Sequence, residues 1–212
     1  MAKFEFVKPP DETLELKTAD FTATDVTSLL PLWAEESSPK RTKSLVDWIN
    51  DEFLQPYGLP LVPYKLQPEK IDLYNVVDLP VNALVTMGLI ECGFRDEAMT
   101  LWSNNINAIT KNLKLFRKFM KYYDASDGYG SGDYNIINGM APLRVFIRLA
   151  GIKKWNPKEI IIDSTSQFEE TVNIRYRGIT VHCSQHGHQI ISPGSKIIET
   201  IGNGPHRIKL PA

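Results

Sequence analysis

The sequence predicts an α+β protein in which partial (α/α)-barrel helical hairpins are followed by a small antiparallel β appendage. Through residue 150, apolar residues recur at helical spacing, as in Leu45, Ile49 and Phe53. After Gly151 the period becomes two. Val172, Ile174 and Tyr176 alternate with polar residues, as do Ile179, Val181 and Cys183, and Gly178, Gly187, Gly194 and Gly204 punctuate four or five strands. Helices first and strands afterwards, rather than in alternation, point to a sheet packed on a helical body. The expected division is an extended lead-in over 1–21, a helical domain over 22–152 and a β domain over 153–212.

Each element has its own signal. Leu14 and Leu16 alternate with Glu15 and Lys17, which allows a short edge strand in the lead-in. A helix is expected over 22–33, capped by Thr24 or Asp25, with Val26, Leu29, Leu30 and Trp33 on one side. Ser38 and Pro39 then open a helix carrying Leu45, Ile49 and Phe53, since proline suits the first helical position. Four prolines and Gly58 make 56–68 an irregular loop. A third helix starts near Pro80 and stops at Gly93, and a fourth runs over 96–120 with Ala98, Leu101, Trp102, Ile106, Ile109, Leu113 and Phe116 as its stripe. The short turn between them makes an antiparallel helical hairpin. A fifth helix is expected over 140–150.

Between the last two helices, residues 119–142 hold a Gly-, Asp- and Tyr-rich stretch, read as a loop forming the floor or rim of a pocket. The rest of the composition is quiet. Lys and Arg number 24 against 25 Asp and Glu, which gives no electrostatic reason to expect nucleic acid or a membrane surface as partner. No stretch reaches the ~20 apolar residues of a membrane span. The expected location is the cytoplasm, and Cys92 and Cys183, far apart in dissimilar contexts, are expected as free buried thiols.

The run from Pro80 to Leu89, then Gly93, then Glu97 and Ala98, resembles a repeat of six-hairpin (α/α)6-barrel glycosidases, the trehalase, glucosidase and mannosylglycerate-hydrolase-like group. Tyr122, Tyr123 and Asp124, followed by Gly128, Gly130 and Gly132, are similar to that group's loop before its last barrel helices. Asn138 to Pro142, Ala150 to Ile152 and the run from Ile174 to Val181 are similar to its C-terminal end, where a small β appendage follows the barrel. The likeness spans about 22–210. It implies carbohydrate recognition or processing, a reaction that commonly needs two carboxylates about the scissile bond. Where the family's pattern places its basic glutamate, this chain has Lys121, and the family's acidic aspartate lies on a part this chain lacks. An ammonium accepts no proton unless its pKa is strongly lowered. The resemblance therefore implies a chain catalytically incomplete alone, or a pseudoenzyme scaffold or regulatory partner, or a pocket recruited for other acid–base chemistry. Its helices are too few for a closed ring, so it is expected to associate with itself or with a separately encoded barrel partner.

Asp124 and Lys121 are the candidate catalytic residues, and Tyr122, Tyr123, Tyr129, Asp133, Tyr134 and Asn138 the candidate substrate-binding set, with a carbohydrate or other small molecule as ligand. Each has a plainer reading. Asp124, Asp127 and Asp133 suit acid, base or cation-ligand roles, and equally suit the capping of turns. The tyrosines suit stacking on sugar rings, and equally loop packing. Lys121 suits a nucleophile or an anion anchor, and more readily a solvated lysine at a helix end. His182, Cys183, His186 and His188 are metal-ligand types, but strand alternation sets His182 and Cys183 on opposite faces, so neither metal nor cofactor is expected. Gly128, Gly130 and Gly132 lack the strand, lysine and hydroxyl of a phosphate loop. Arg175 and Arg177 are expected to share a solvated strand face with Asn173.

Overall fold

The computed structural model describes residues 24–34, 38–67, 74–191, 197–201 and 204–210. The possible strand at Leu14 and Leu16 lies outside the described residues. The chain is α+β. A helical body is followed by two small antiparallel sheets, as the change of period predicts.

Asp25 caps the first helical segment through a bond from the Thr27 amide, but that segment is a 3-10 helix, Val26–Leu32, rather than an α-helix over 22–33. Pro31 stands inside it, and a proline removes the donor an α-helix needs there. Ser38 and Pro39 open helix α1 (Pro39–Trp48) as expected. Its end widens into a π turn over Ile49–Phe53, closed by the Leu54 amide donating to Ile49 O at 2.8 Å. Helix α2 (Leu79–Glu91) is apolar on every side and fully buried over 85–90. It is the central helix of the body. Helix α3 (Arg95–Phe116) returns antiparallel to it after the turn at Gly93.

The fourth expected helix is too long. α3 stops at Phe116, where Arg117 turns left-handed at φ 56°, and the chain continues as a strand. Strands β1 (Val76–Val77), β2 (Met120–Asp124) and β3 (Gly130–Tyr134) form an antiparallel sheet in the order β1-β2-β3. Strands are thus not confined to the last third of the chain. The fifth helix is shorter than expected: α4 spans Leu143–Leu149, because Pro142 holds the residue before it in extended backbone.

Among the described residues the appendage has seven strands. β4 (Ile152–Trp155), β5 (Glu159–Ile162) and β10 (His206–Lys209) form one sheet in the order β10-β5-β4. β6 (Val172–Tyr176), β7 (Ile179–Ser184), β8 (Gly187–Ile191) and β9 (Ile197–Ile201) form the other in sequence order. The two sheets face each other over Ile152, Ile160, Ile162, Val181, Cys183 and Ile190. Phe168 also touches the helical core, so it bridges the two bodies of apolar contact. Strand β6 ends at Tyr176, and Arg177 lies in the turn rather than on a strand face with Asn173 and Arg175.

Neither cysteine forms a disulfide. Cys183 is buried, which pushes its thiol up to about 12, while Cys92 is half-buried with its Sγ near Leu32 O.

His188 on β8 ties the appendage to the end of α4. It is 3% exposed, and its Nε2 bonds Ala150 O at 2.7 Å, so Nδ1 is left as an acceptor without a donor. Burial is the largest cause of a pKa below the ordinary imidazole value. The Ala150 bond pulls the other way, and His206 and Arg95 add to the depression. An unfolded imidazole titrates near pH ~6.5, so protonation opposes folding, and His188's contribution is intact above that pH and lost as the pH falls below it. The urea midpoint is expected to drop between pH 7 and pH 5, and to drop less in His188→Gln. Equal drops in the two proteins would clear His188 of the effect.

Candidate functional site

The candidate residues collect on the β2–β3 hairpin. Its turn is built by Asp124, whose Oδ1 accepts from the amides of Ser126 and Asp127 (2.8 and 2.9 Å) and from the Ser126 hydroxyl (2.6 Å). Oδ2 accepts from Asn75 Nδ2 at 3.0 Å. Partial burial raises the pKa of this carboxyl, and the bonds from Ser126, Asp127 and Asn75 outweigh it, leaving the group below its ordinary value. Asp124 is held as an ionised acceptor and has no proton to give at neutral pH.

Tyr123 lies beneath the hairpin, fully buried. Its hydroxyl donates to Gly139 O at 2.9 Å and accepts from the Met120 amide at 3.1 Å. Burial raises its pKa, the Met120 bond offsetting this in part. It is a packing residue with satisfied polar ends, out of reach of a ligand on the surface.

Lys121 stands on strand β2 rather than at a helix end, half-buried, with its ammonium 5.1 Å from the centre of the Tyr122 ring. Tyr129, just before β3, and Tyr134, at its end, are both exposed. Lys111 sits 3.8 Å over the Tyr129 ring and Lys118 3.9 Å over the Tyr134 ring. Five strand steps, ~16 Å, separate the two tyrosines, so they bracket a shelf rather than line one pocket. The backbone between them is Gly130, Ser131, Gly132 and Asp133, with Asp133 exposed. One extra β3 residue opposes β2 between the Met120–Tyr134 and Tyr122–Ser131 pairs, a bulge at which Gly132 takes φ 76°. Asn138 does not join this group. It lies in an apolar groove of about 380 Å³ with Leu79, Pro80, Ile137, Met140 and Leu143.

The sequence reading passes over three buried asparagines, two of which, Asn112 and Asn82, hold loops around the hairpin. Asn112 of α3 donates to Gly128 O (2.7 Å) and accepts from the Gly130 amide (2.8 Å), which fixes the hairpin turn to the helix. Asn82 of α2 accepts from the Leu59 amide (2.8 Å) and donates to Leu59 O (3.0 Å), standing in for a strand partner. Asn105 donates to Leu101 O beside Gly58. A signal for them exists in the sequence: Asn105 and Asn112 share the apolar stripe of α3, where a polar residue needs a buried partner. Gly128 completes the arrangement, because a Cβ there would meet the Tyr57 ring at 2.5 Å and φ is 72°.

Among the described residues no group of three or more His, Cys, Asp or Glu is placed to hold a metal ion. Cys183 points into the core while His182 pairs with Asn173, as alternation predicts. No described helix is long and apolar enough to cross a membrane.

No protein-family profile matches the chain, and no curated protein sequence matches it. Solved structures do match in part. A GH63 mannosylglycerate hydrolase from Thermus thermophilus, in complex with glucose, is similar at 24% identity and a TM-score of 0.49 over 59% of this chain and 30% of its own. The same enzyme in complex with Tris is similar at 24% identity and a TM-score of 0.43, over 52% of this chain and 26% of its own. An uncharacterized conserved protein from that organism has 25% identity and a TM-score of 0.43 over 52% of this chain and 27% of its own. The matched part thus takes up less than a third of each of those chains.

Proposed function

We propose that this chain is a glycosidase-like module that recognises carbohydrate on the exposed face of the β2–β3 hairpin and does not hydrolyse glycosides alone. The observation that carries the reading is the shelf itself: two exposed tyrosine rings, each steadied by a lysine, at either end of a strand of glycine, serine and aspartate. A sugar offers C–H faces to rings and hydroxyls to backbone and carboxylate, and such a shelf meets both. The order of motifs shared with six-hairpin glycosidases supports the same substrate class. Catalytic incompleteness follows from the two candidate groups, with Lys121 where a base would be needed and Asp124 locked as an ionised turn acceptor.

Ligand-observed NMR with glucose, mannose and trehalose tests the reading. Binding of at least one sugar is expected, with Tyr129→Ala and Tyr134→Ala each weakening it fivefold or more. No binding, or binding indifferent to both tyrosines, would sink it.

A second reading, a scaffold that works by association, is favoured by the groove beside Asn138. Ile137 is 85% exposed and Leu143 68% exposed on a surface with few charges. Apolar exposure of this kind marks contact with another chain, a second copy or a separately encoded partner. Light scattering is expected to give a mass above 24.0 kDa that falls to the monomer value in Leu143→Lys. A monomer at every concentration would exclude self-association and leave only a separate partner, to be sought by co-purification.

A further inference from the structure

We propose that a cavity on the appendage, distant in sequence from the hairpin, binds a single six-membered ring carrying a carboxylate. The cavity has a volume of about 120 Å³ and is lined by Trp155, Asn156, Pro157, Tyr176, Arg177, Ile179 and Leu210. For scale, a buried apolar cavity of about 150 Å³ takes up a benzene ring, so this smaller hollow, open on one side, seats one ring with its substituent outside and no more.

Its walls select a flat or chair-shaped ring. Trp155 and Tyr176 meet nearly at right angles, with centroids 5.9 Å apart and planes at 83°, so they make a corner of one face and one edge. Ile179 belongs to the buried core of the appendage, and Trp155 and Leu210 pack on that core, which keeps the corner fixed. The Leu210 amide is tied to Lys158 O at 2.8 Å. A preformed corner with apolar walls and one charged group is the usual make-up of a small-ligand site.

The charged group is Arg177. Its guanidinium lies 5.3 Å from the Tyr176 ring centre, and it has no ion pair among the described residues. Its backbone is the second observation. Arg177 and Gly178 are the two central residues of the β6–β7 hairpin turn, both at positive φ (49° and 79°). Such turns favour Asn-Gly or Gly-Gly, and a long side chain there is strained. The strain sits where the side chain reaches the cavity, and retained strain is a pointer to function. Nearby charge agrees with an anionic ligand. Lys158 flanks the lining residues, and the carboxylate close in sequence, Glu159, is already held by Lys154 and Arg207 at 3.1 and 3.4 Å. A guanidinium beside aromatic walls repels a cation and forks onto a carboxylate.

A uronic acid and an aromatic acid share this chemistry, so the test carries both. The full chain is titrated with glucuronate, glucose, benzoate and benzyl alcohol, read by tryptophan fluorescence with Trp155→Phe as the control for the reporting ring. Glucuronate or benzoate is expected to bind and its neutral counterpart to bind at least tenfold more weakly; which acid binds decides the source. Arg177→Gly relieves the turn and leaves folding intact, and is expected to raise the melting temperature while weakening the acid at least tenfold. Arg177→Lys keeps the charge without the fork and is expected to fall between. Absence of binding by both acids, equal binding of a neutral counterpart, or an Arg177→Gly protein that binds as before would overturn the proposal. None of these results bears on the tyrosine shelf of β3, whose variants are read separately.

Discussion

Arg148→Met is expected to cost about 3 kcal/mol of stability, because removing one member of a buried ion pair strands the others. Arg148 is 3% exposed. Its Nε and Nη2 donate to Glu91 Oε1 (3.0 and 2.8 Å) and its Nη1 to Asp163 Oδ1 (3.0 Å). Burial lowers the guanidinium pKa, and Asp163 and Glu91 outweigh it, so its net shift is upward. The carboxylates are roughly a quarter exposed, at 24% and 22%, which keeps the loss at the lower end of what a fully buried pair gives. The position matters as much as the size. Glu91 ends α2, Arg148 lies on α4 and Asp163 follows β5, while Arg95 of α3 donates to Arg148 O at 2.8 Å. The cluster therefore joins the helical body to the appendage. Urea unfolding of Arg148→Met, compared with a triple variant in which Glu91 and Asp163 are also made apolar, checks the argument. The triple variant is expected to recover most of the loss, and a triple variant as unstable as the single would show that packing, not charge, holds this seam.

Gly139→Ala is expected to cost about 2–3 kcal/mol and to loosen the candidate shelf without altering a residue on it, since overpacking a tight contact displaces backbone. A Cβ at Gly139 would lie 2.1 Å from Met120 O and 2.9 Å from Met120 C, backbone atoms that cannot swing aside. Met120 opens β2, and the Tyr123 hydroxyl is bonded to both segments, so a shift at 139 carries into the hairpin. Gly93→Ala is the control. Nothing lies within 4 Å of its Cβ, and only its φ of +89° resists substitution, so about 1 kcal/mol is expected. Hydrogen exchange of the β2–β3 amides should speed up in Gly139→Ala and stay unchanged in Gly93→Ala. Unchanged exchange in both would mean that the hairpin does not depend on this contact.

The split between the two halves of the chain is legible in the sequence because it needs only local period. Ile179, Val181 and Cys183 are buried alternately, and Ser38, Pro39, Asp25 and Gly93 sit at the helix ends their chemistry favours. These are properties of neighbours in sequence, fixed by backbone geometry and the burial of one face. The hairpin escapes a sequence reading for the same reason. Residues 117–120 continue a helical composition, yet Arg117 turns left-handed and Met120 already pairs with Tyr134 of β3. No local preference records a partner as far upstream as those in the pairs Val77–Tyr123 and Val76–Asp124.

The sequence by itself determined that the chain is mainly helical at first and ends in strands, that helices open at Pro39 and near Pro80, and that Tyr129, Tyr134 and Asp133 lie together in a glycine-rich stretch. Only the tertiary structure decided what those side chains are free to do. It buried Tyr123, committed Asp124 to four hydrogen bonds, moved Asn138 into a separate groove and enlisted Asn82 and Asn112 as internal supports. The physical reason is that a polar group removed from water must find partners, and those partners come from whichever segments the fold brings alongside.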